Sequence, residues 1–146
     1  MGVGVVKYSE GELSLIYATC IKSHRNSTLP NRLHHMYEEL LKIIHEFQPD
    51  SVAVEQPFVA TNPKSALAIG QAQALVLLSA AHNQLSVTSY TPREVKKSVT
   101  DYGQSSKEQV KAMVCSLLET DSVVGSLDVS DALAVAICHL NRGNTS

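Results

Sequence analysis

The chain has 146 residues, of which 44% are hydrophobic and 18% are charged, and its formal net charge is −2 at pH 7. This length accommodates one domain with a buried core and leaves no room for a second, and the composition excludes a disordered chain. Because the net charge is slightly negative, any attraction to nucleic acid must come from a local basic patch.

The N-terminal part of the chain predicts a β-hairpin followed by a helix. Met1 to Val6 is typical of a strand, Ser9 to Glu12 of a turn, and Leu13 to Lys22 of a second strand. From Leu29 to Phe47 the apolar residues recur at three- and four-residue spacing. This pattern predicts an amphipathic helix of about five turns that packs on a sheet.

The segment from Ser51 to Phe58, SVAVEQPF, is an apolar run that ends at a carboxylate and is stopped by a proline. The first four residues show no polar alternation, which favours a central strand of a parallel or mixed sheet. Pro57 has no N–H to donate, so Glu55 is expected where the strand leaves the core. Ligands of open α/β sheets gather at such an edge. A solvated strand-end glutamate is the alternative unless other acids lie at the same edge.

Asn62 and Pro63 predict the start of a helix that runs to about His82, because asparagine caps helices and proline suits the first helical position. Ala66, Gly70 and Ala74 form a ridge of small residues along this helix, which allows another backbone to approach closely. Two interpretations stay open: packing on the protein's own sheet, and a helix at a dimer interface.

No segment of the sequence predicts export or membrane insertion. The apolar stretch 66–81 is interrupted by Gly70, Gln71 and Gln73, so we expect a buried helix and no membrane span. Three cysteines without a CxxC spacing indicate reduced thiols. The expected location is therefore the cytoplasm.

The remaining chain predicts a strand and three helices. The strand is Leu85 to Tyr90, and the first two helices are Arg93 to Val99 and Ser106 to Leu118, with a turn at Asp101 to Gly103 between them. The last helix, Ser126 to Leu140, is apolar almost all round and is expected to be buried.

Asp128 and Asp131 are three residues apart, so they share one face at the start of the last helix. Aspartates in this position cap backbone N–H groups and complement the helix dipole, which typically stabilises by roughly 1 kcal/mol. Together with Glu55 they are also a candidate acidic cluster for Mg²⁺, a hard cation that binds carboxylates and water.

Four motifs resemble those of the RuvC-type Holliday junction resolvases, the crossover junction endodeoxyribonucleases of bacteria. They are VAVEQPF, NPKSALAIGQAQA, TPREVKKSVTDYG with SSKEQVKAMV, and DVSDALAVAICH, and they occur in the family's order and spacing over nearly the whole chain. The resemblance implies an α/β, ribonuclease H-like mixed sheet flanked by helices over residues 1–142, with a short polar tail at 143–146. It also implies a homodimer and magnesium-dependent hydrolysis of DNA at four-way junctions, in recombination and repair.

The resemblance implies a role for individual residues. Glu55, Asp128 and Asp131 match the family's acidic active-site positions, where carboxylates hold two Mg²⁺ ions about 4 Å apart. Phe58 matches an aromatic of the DNA-facing loop, and Lys96 and Lys107 match basic positions near the scissile phosphate. Further cations complete a candidate phosphate-binding patch, in which a solvated surface role stays open for most members: Lys64, Arg93, Lys97 and Lys111.

One departure from the family concerns the N-terminus. In the family, a central strand with a Gly-Ile-Asp-Pro-Gly-like motif precedes the residues that match Gly2 to Val6, and its aspartate bridges the metals. This chain begins after that motif. We therefore expect an N-terminally incomplete domain in which two strands lack a neighbour, and we expect impaired folding and cleavage.

Three functions stay open. The first is a junction-resolving endonuclease, whose working partner by resemblance is a branch-migration motor. The second is a non-catalytic junction-binding or remnant protein, in which the acids cap a helix. The third is a nucleotide-binding relative, which the absence of a glycine-rich phosphate loop disfavours. The sequence does not distinguish Mg²⁺ from Mn²⁺ or define a preferred cleavage sequence.

Overall fold

The computed structural model describes residues 1–57, 62–121 and 126–144, so Phe58 lies outside the described residues. The predicted elements are present with bounds shifted by a few residues. In chain order they are β1 (Gly2–Ser9), β2 (Glu12–Cys20), α1 (Leu29–Phe47), β3 (Ser51–Glu55), α2 (Pro63–His82), β4 (Ser86–Tyr90), α3 (Pro92–Thr100), α4 (Lys107–Leu117) and α5 (Leu127–Gly143).

The chain divides into two compact units. The first unit comprises Met1–Cys20, Ala53–Glu55 and Thr88–Ser146, and the second comprises Ile21–Val52 and Gln56–Val87. The described strands form two two-stranded sheets, β1 with β2 and β3 with β4. The α/β fold class is as predicted. Residues 51–54 of β3 are only half-buried, whereas a central strand was predicted to be buried on both faces. Among the described strands, β3 pairs with β4 and has no neighbour on its other edge.

The hairpin of β1 and β2 is antiparallel, with Gly2 opposite Cys20 and Ser9 opposite Glu12. Its turn consists of Glu10 (φ 53°) and Gly11 (φ 88°). Positive φ at both central positions is typical of a type I′ turn, whose twist matches that of the flanking strands. The predicted hairpin is therefore confirmed.

Helix α5 is the centre of the core of the first unit. Leu133, Ile137 and Val129 are fully buried in it, and they pack with buried valines of α3 and α4. Strand β1 lies directly on α5: a Cβ on Gly4 would be 2.5 Å from Leu133 Cδ2, and a Cβ on Gly2 would overlap the carbonyl group of Asp128. The backbone of β1 thus sets where the first two turns of α5 lie.

In the second unit, α1 packs against α2. The prediction of a buried α2 is wrong in this structure, since Ser79 and Ala80 are the residues of the helix that are buried and Leu67 and Leu78 are 64% and 56% exposed. Among the described helices, α2 is long and apolar enough to cross a membrane, with 11% of that stretch buried. Length and hydropathy alone do not distinguish such a span from a helix covered by another protein surface.

Candidate active site

The predicted acids and two predicted lysines all lie in the first unit. Glu55 is the last residue of β3, Asp128 is in the first turn of α5, and Asp131 follows one turn later. Lys96 lies on α3 and Lys107 is the first residue of α4. Five residues that are far apart in the sequence are thus carried by four elements of one compact unit.

Local sequence explains where these side chains sit. Pro57 follows β3 closely and ends its ladder, which leaves Glu55 partly exposed at the strand end. Helix α4 begins at Lys107 because Ser106 and Gln109 form a capping box, with Gln109 N–H donating to Ser106 Oγ at 3.1 Å and Ser106 N–H donating to Gln109 Oε1 at 2.8 Å.

The alternative that both aspartates are capping residues is only half supported. The N-cap of α5 is Ser126, which makes no side-chain cap hydrogen bond within the described residues. Asp128 lies in the first turn, where a negative charge complements the helix dipole. Asp131 lies beyond that turn and is half-buried, so capping does not account for it.

The pKa values of the acids show that their charges interact. Partial burial raises the pKa of Glu55, and the negative charge of Asp131 raises it further, while Lys107 and Lys96 lower it. Partial burial also raises the pKa of Asp131, which Lys107 lowers, Asp128 raises and Lys96 lowers. Because both pKa values remain above their ordinary values, the two lysines only partly offset the effects of burial and of the neighbouring carboxylates.

Lys107 and Asp131 form an ion pair between a lysine and an acid of the site. Lys107 Nζ lies 4.0 Å from Asp131 Oδ2, with side chains 64% and 44% exposed. A pair this long and this exposed is screened by solvent and holds its partners loosely. The ammonium group of Lys107 is therefore able to turn towards another anion.

The donor chemistry of the site suits a hard cation, but the ligands are not gathered. Glu55, Asp128 and Asp131 offer the carboxylate oxygens that a hard cation prefers. A cation would also offset the partial burial and the repulsion that raise the pKa values of Glu55 and Asp131. Over residues 1–57, 62–121 and 126–144, no group of three or more His, Cys, Asp or Glu side chains is close enough to hold one metal ion.

The other predicted cations are spread over both units. Arg93, Lys97 and Lys111 lie on α3 and α4, and the aliphatic part of Arg93 packs on Gly103, where a Cβ would be 3.0 Å from Arg93 Cγ. Lys64 lies in the second unit, where its backbone N–H donates to the Asn62 cap at 3.0 Å.

A polar network that the sequence did not predict joins α5 to α3 and β4. Arg142 Nη2 donates to Glu94 Oε1 at 2.7 Å, and Asn141 Nδ2 donates to Ser98 Oγ at 3.2 Å. The hydroxyl of buried Tyr90 lies 2.7 Å from His139 Nδ1. The sequence feature that could have pointed to Glu94 is its three-residue spacing from Thr91, because the two residues form a capping box in the structure.

The chain is similar to known proteins over nearly its whole length. The family described as crossover junction endodeoxyribonuclease RuvC matches residues 1–139. A protein of this description from Dehalococcoides mccartyi is 47% identical over 139 residues, which is 95% of this chain and 84% of the relative. Another from Alkaliphilus oremlandii is 40% identical over 144 residues, which is 99% of this chain and 88% of the relative.

Two solved structures are similar to the fold described above. The structure of Thermus thermophilus RuvC matches with a TM-score of 0.88 and 27% identity. The match covers 99% of this chain and 89% of the T. thermophilus chain. The structure of T. thermophilus RuvC in complex with a Holliday junction substrate has a TM-score of 0.89 and 26% identity, with the same coverage. The predicted fold class and the predicted family are thereby confirmed.

Proposed function

The chain belongs to the RuvC family of crossover junction endodeoxyribonucleases, and on that basis we propose that it acts as a Holliday junction resolvase, which makes paired nicks in four-way DNA in recombination and repair. The observation that carries this proposal is the placement of Glu55 and Asp131. They come from different elements, and the charge of Asp131 raises the pKa of Glu55. The two lysines that the resemblance places near the scissile phosphate lower the pKa values of both acids.

In this mechanism the carboxylates of Glu55, Asp128 and Asp131 would hold Mg²⁺, two ions per site by resemblance. Bound Mg²⁺ would supply the chemistry that activates a water and stabilises the leaving oxygen. Lys107 and Lys96 supply positive charge to the phosphate oxygens that gain negative charge during cleavage. The long contact between Lys107 and Asp131 supports this role, because it allows the ammonium group to exchange a carboxylate for a phosphate.

The proposed substrate is four-way junction DNA. The complex of the T. thermophilus relative with a Holliday junction substrate, at a TM-score of 0.89, supports this proposal. The cations of α3 and α4 would contact phosphates, and Phe58 would stack on an unpaired base. A branch-migration motor as partner and a cytoplasmic location belong to the same proposal.

We further propose a homodimer in which α2 is the interface helix. Its small-residue ridge is exposed at Ala66, Gly70 and Ala74, and apart from the adjacent backbone of α2 itself no described atom lies within 4 Å of a Cβ built on Gly70. The ridge is flanked by exposed Leu67 and Leu78. Since the second unit leaves this apolar face uncovered, a second copy of the chain is the partner that gives α2 a packed environment.

The experiment measures nicking of a labelled four-way junction by the protein expressed from the complete reading frame that encodes these residues, with Mg²⁺ or with EDTA. We expect nicking only with the metal, and about a hundredfold slower nicking by Glu55→Gln or Asp131→Asn with junction affinity retained. Glu46→Gln, a matched change of an exposed glutamate on α1, should nick like the parent. Junction-specific binding by a parent that never nicks would contradict the proposal.

A non-catalytic junction-binding or remnant protein is the second candidate function. The observation that favours it is that the described residues do not gather three metal-ligating side chains. In that case Glu55→Gln changes neither binding nor cleavage, whereas a resolvase loses cleavage and keeps binding. The same variant therefore distinguishes the two functions.

A further inference from the structure

The turn between α3 and α4 joins the two lysines that act on the acids. Lys96 lies in the middle of α3, four residues before its last residue Thr100, and Lys107 is the first residue of α4. Both lysines lower the pKa values of Glu55 and Asp131. The geometry of this turn therefore sets how far apart the two ammonium groups stand beside the carboxylates.

The hydroxyl groups of Thr100 and Ser105 form hydrogen bonds within the turn. Thr100 Oγ1 lies 2.8 Å from the carbonyl oxygen of Lys96 and 2.5 Å from Ser105 Oγ. Ser105 Oγ lies 2.8 Å from the carbonyl oxygen of Tyr102, and Tyr102 N–H donates to Thr100 Oγ1 at 3.2 Å. Each hydroxyl has one proton, so the two protons are shared among two carbonyl oxygens and the partner hydroxyl.

Each of the two hydroxyl residues is close in the backbone to one of the two lysines. Thr100 contacts the backbone carbonyl of Lys96 itself. Ser105 is 4% exposed and directly precedes Ser106, the N-cap from which α4 begins at Lys107. If either hydroxyl residue shifts, the short backbone segment that leads to one of the lysines shifts with it.

Backbone hydrogen bonds also form at both ends of the turn. Asp101 closes α3 in the left-handed region, with φ 62°, and its N–H donates to the carbonyl of Lys97 at 2.9 Å. Ser105 N–H donates to the carbonyl of Tyr102 at 3.2 Å. The capping box of Ser106 and Gln109 then fixes the first turn of α4.

We propose that Thr100 and Ser105 are positioning residues for nicking, which hold Lys96 and Lys107 at the separation that the phosphate requires. This inference rests on the proposed function of the two lysines. Removal of either hydroxyl lets the helices shift relative to each other, so the lysines stand less well placed beside Glu55 and Asp131. Because the cations are retained, binding of junction DNA changes little, whereas the nicking step slows.

The test compares Thr100→Val, Thr100→Ser and Ser105→Ala in the protein from the complete reading frame, at saturating junction and well below the melting temperature. We expect Thr100→Val and Ser105→Ala to nick about tenfold more slowly with junction affinity within about twofold of the parent. Thr100→Ser retains the hydroxyl and should nick like the parent. Thr28→Val is the matched control, since Thr28 makes no side-chain cap hydrogen bond within the described residues.

A second measurement follows the lysines without relying on nicking. The rates at which an amine-reactive ester modifies Lys96 and Lys107 are read by mass spectrometry, with Lys42 on α1 as the reference. We expect Thr100→Val to change the rates of Lys96 and Lys107 by at least about twofold and to leave Lys42 unchanged. Unchanged rates at both lysines would overturn the positioning role.

A double-mutant cycle separates positioning from a general loss of stability. If Thr100 acts through Lys107, Thr100→Val should slow nicking much less in a Lys107→Ala background than in the parent. Equal slowing in both backgrounds, or a Thr100→Ser variant as slow as Thr100→Val, would overturn the inference. A parent that never nicks would instead refute the proposed function, and the modification rates would still decide whether the hydroxyls position the lysines.

Discussion

Glu55 and Asp131 lie in surroundings that disfavour their charged forms. Their pKa values are raised by partial loss of hydration and by neighbouring carboxylates, and the two lysines offset this only in part. At the scale of single residues, the site therefore carries a stability cost for which a bound cation would compensate. Two measurements test this description.

The first measurement is the pH dependence of stability. Because the folded pKa of Glu55 is raised above its ordinary value of 4.5, its contribution to stability is fully present below that value and is lost as pH rises through the folded pKa. Without metal, Glu55→Gln should therefore melt at a higher temperature than the parent at pH 7 and at the same temperature at pH 4. Glu46→Gln should follow the parent at both. A less stable Glu55→Gln at pH 7 would contradict the assignment.

The second measurement is stabilisation by Mg²⁺. A cation that binds only the folded state stabilises it by roughly 2.7 kcal/mol at a concentration one hundred times its Kd. We expect the melting temperature of the parent to rise with Mg²⁺ and that of Asp131→Asn to rise much less, because the variant loses a carboxylate ligand. Equal shifts in both proteins would show that the ion binds elsewhere.

At the scale of elements, the position of α5 decides where Asp128 and Asp131 stand. Strand β1 approaches it through glycines, and α3 is tied to it by Glu94 with Arg142 and by Ser98 with Asn141. The guanidinium of Arg142 also lies 5.2 Å from the centroid of the Tyr90 ring. These contacts join the helix of the aspartates to the helix of Lys96.

Gly4 is the glycine whose replacement best tests this packing. A methyl group at Gly4 would lie 2.5 Å from Leu133 Cδ2, so we expect Gly4→Ala to cost about 1–3 kcal/mol in the free energy of unfolding. Leu133→Val removes that methyl and should recover part of the loss in the double variant. Gly70→Ala, measured at protein concentrations where the chain is monomeric, is the matched control. Apart from the adjacent helix backbone, no described atom is within 4 Å of its Cβ, so it should stabilise the helix by about 0.5–1 kcal/mol. Denaturant unfolding gives all four values.

At the scale of the whole molecule, the exposure of α2 is the feature that a single copy of the chain leaves unexplained. Leu67 and Leu78 are more than half exposed on a helix that packs against α1. If α2 is the interface of a homodimer, Leu78→Lys should raise the dimer Kd by at least about thirtyfold, since truncating a buried interface anchor costs about 2 kcal/mol or more.

Sedimentation equilibrium measures this change directly. Ile16→Lys on β2 is the control, because Ile16 is also an exposed apolar side chain, at 45%, and lies in the other unit. A Leu78→Lys variant with the parent's association constant would place any dimer interface on a different surface.

Much of the fold was predictable because its signals are local. The helix starts at Pro63 and Pro92 follow from the capping residues Asn62 and Thr91, and the hairpin follows from its turn and its flanking apolar runs. The acids Glu55, Asp128 and Asp131 were also identified from the sequence, by strand-end position, by helical spacing and by the motifs that resemble the family. Their roles as metal ligands and catalytic groups stay predictions.

The sequence by itself determined the elements, their order and the family, since capping, periodicity and motifs act over a few residues. Only the tertiary structure decided which distant groups meet: Lys107 with Asp131, the hydroxyls of Thr100 and Ser105 inside one turn, and Arg142 with Glu94. It also decided that α2 is exposed, although its composition predicted burial. Local pattern states how apolar a helix is, whereas the surface that covers it is set by contacts between parts of the chain that are far apart in sequence.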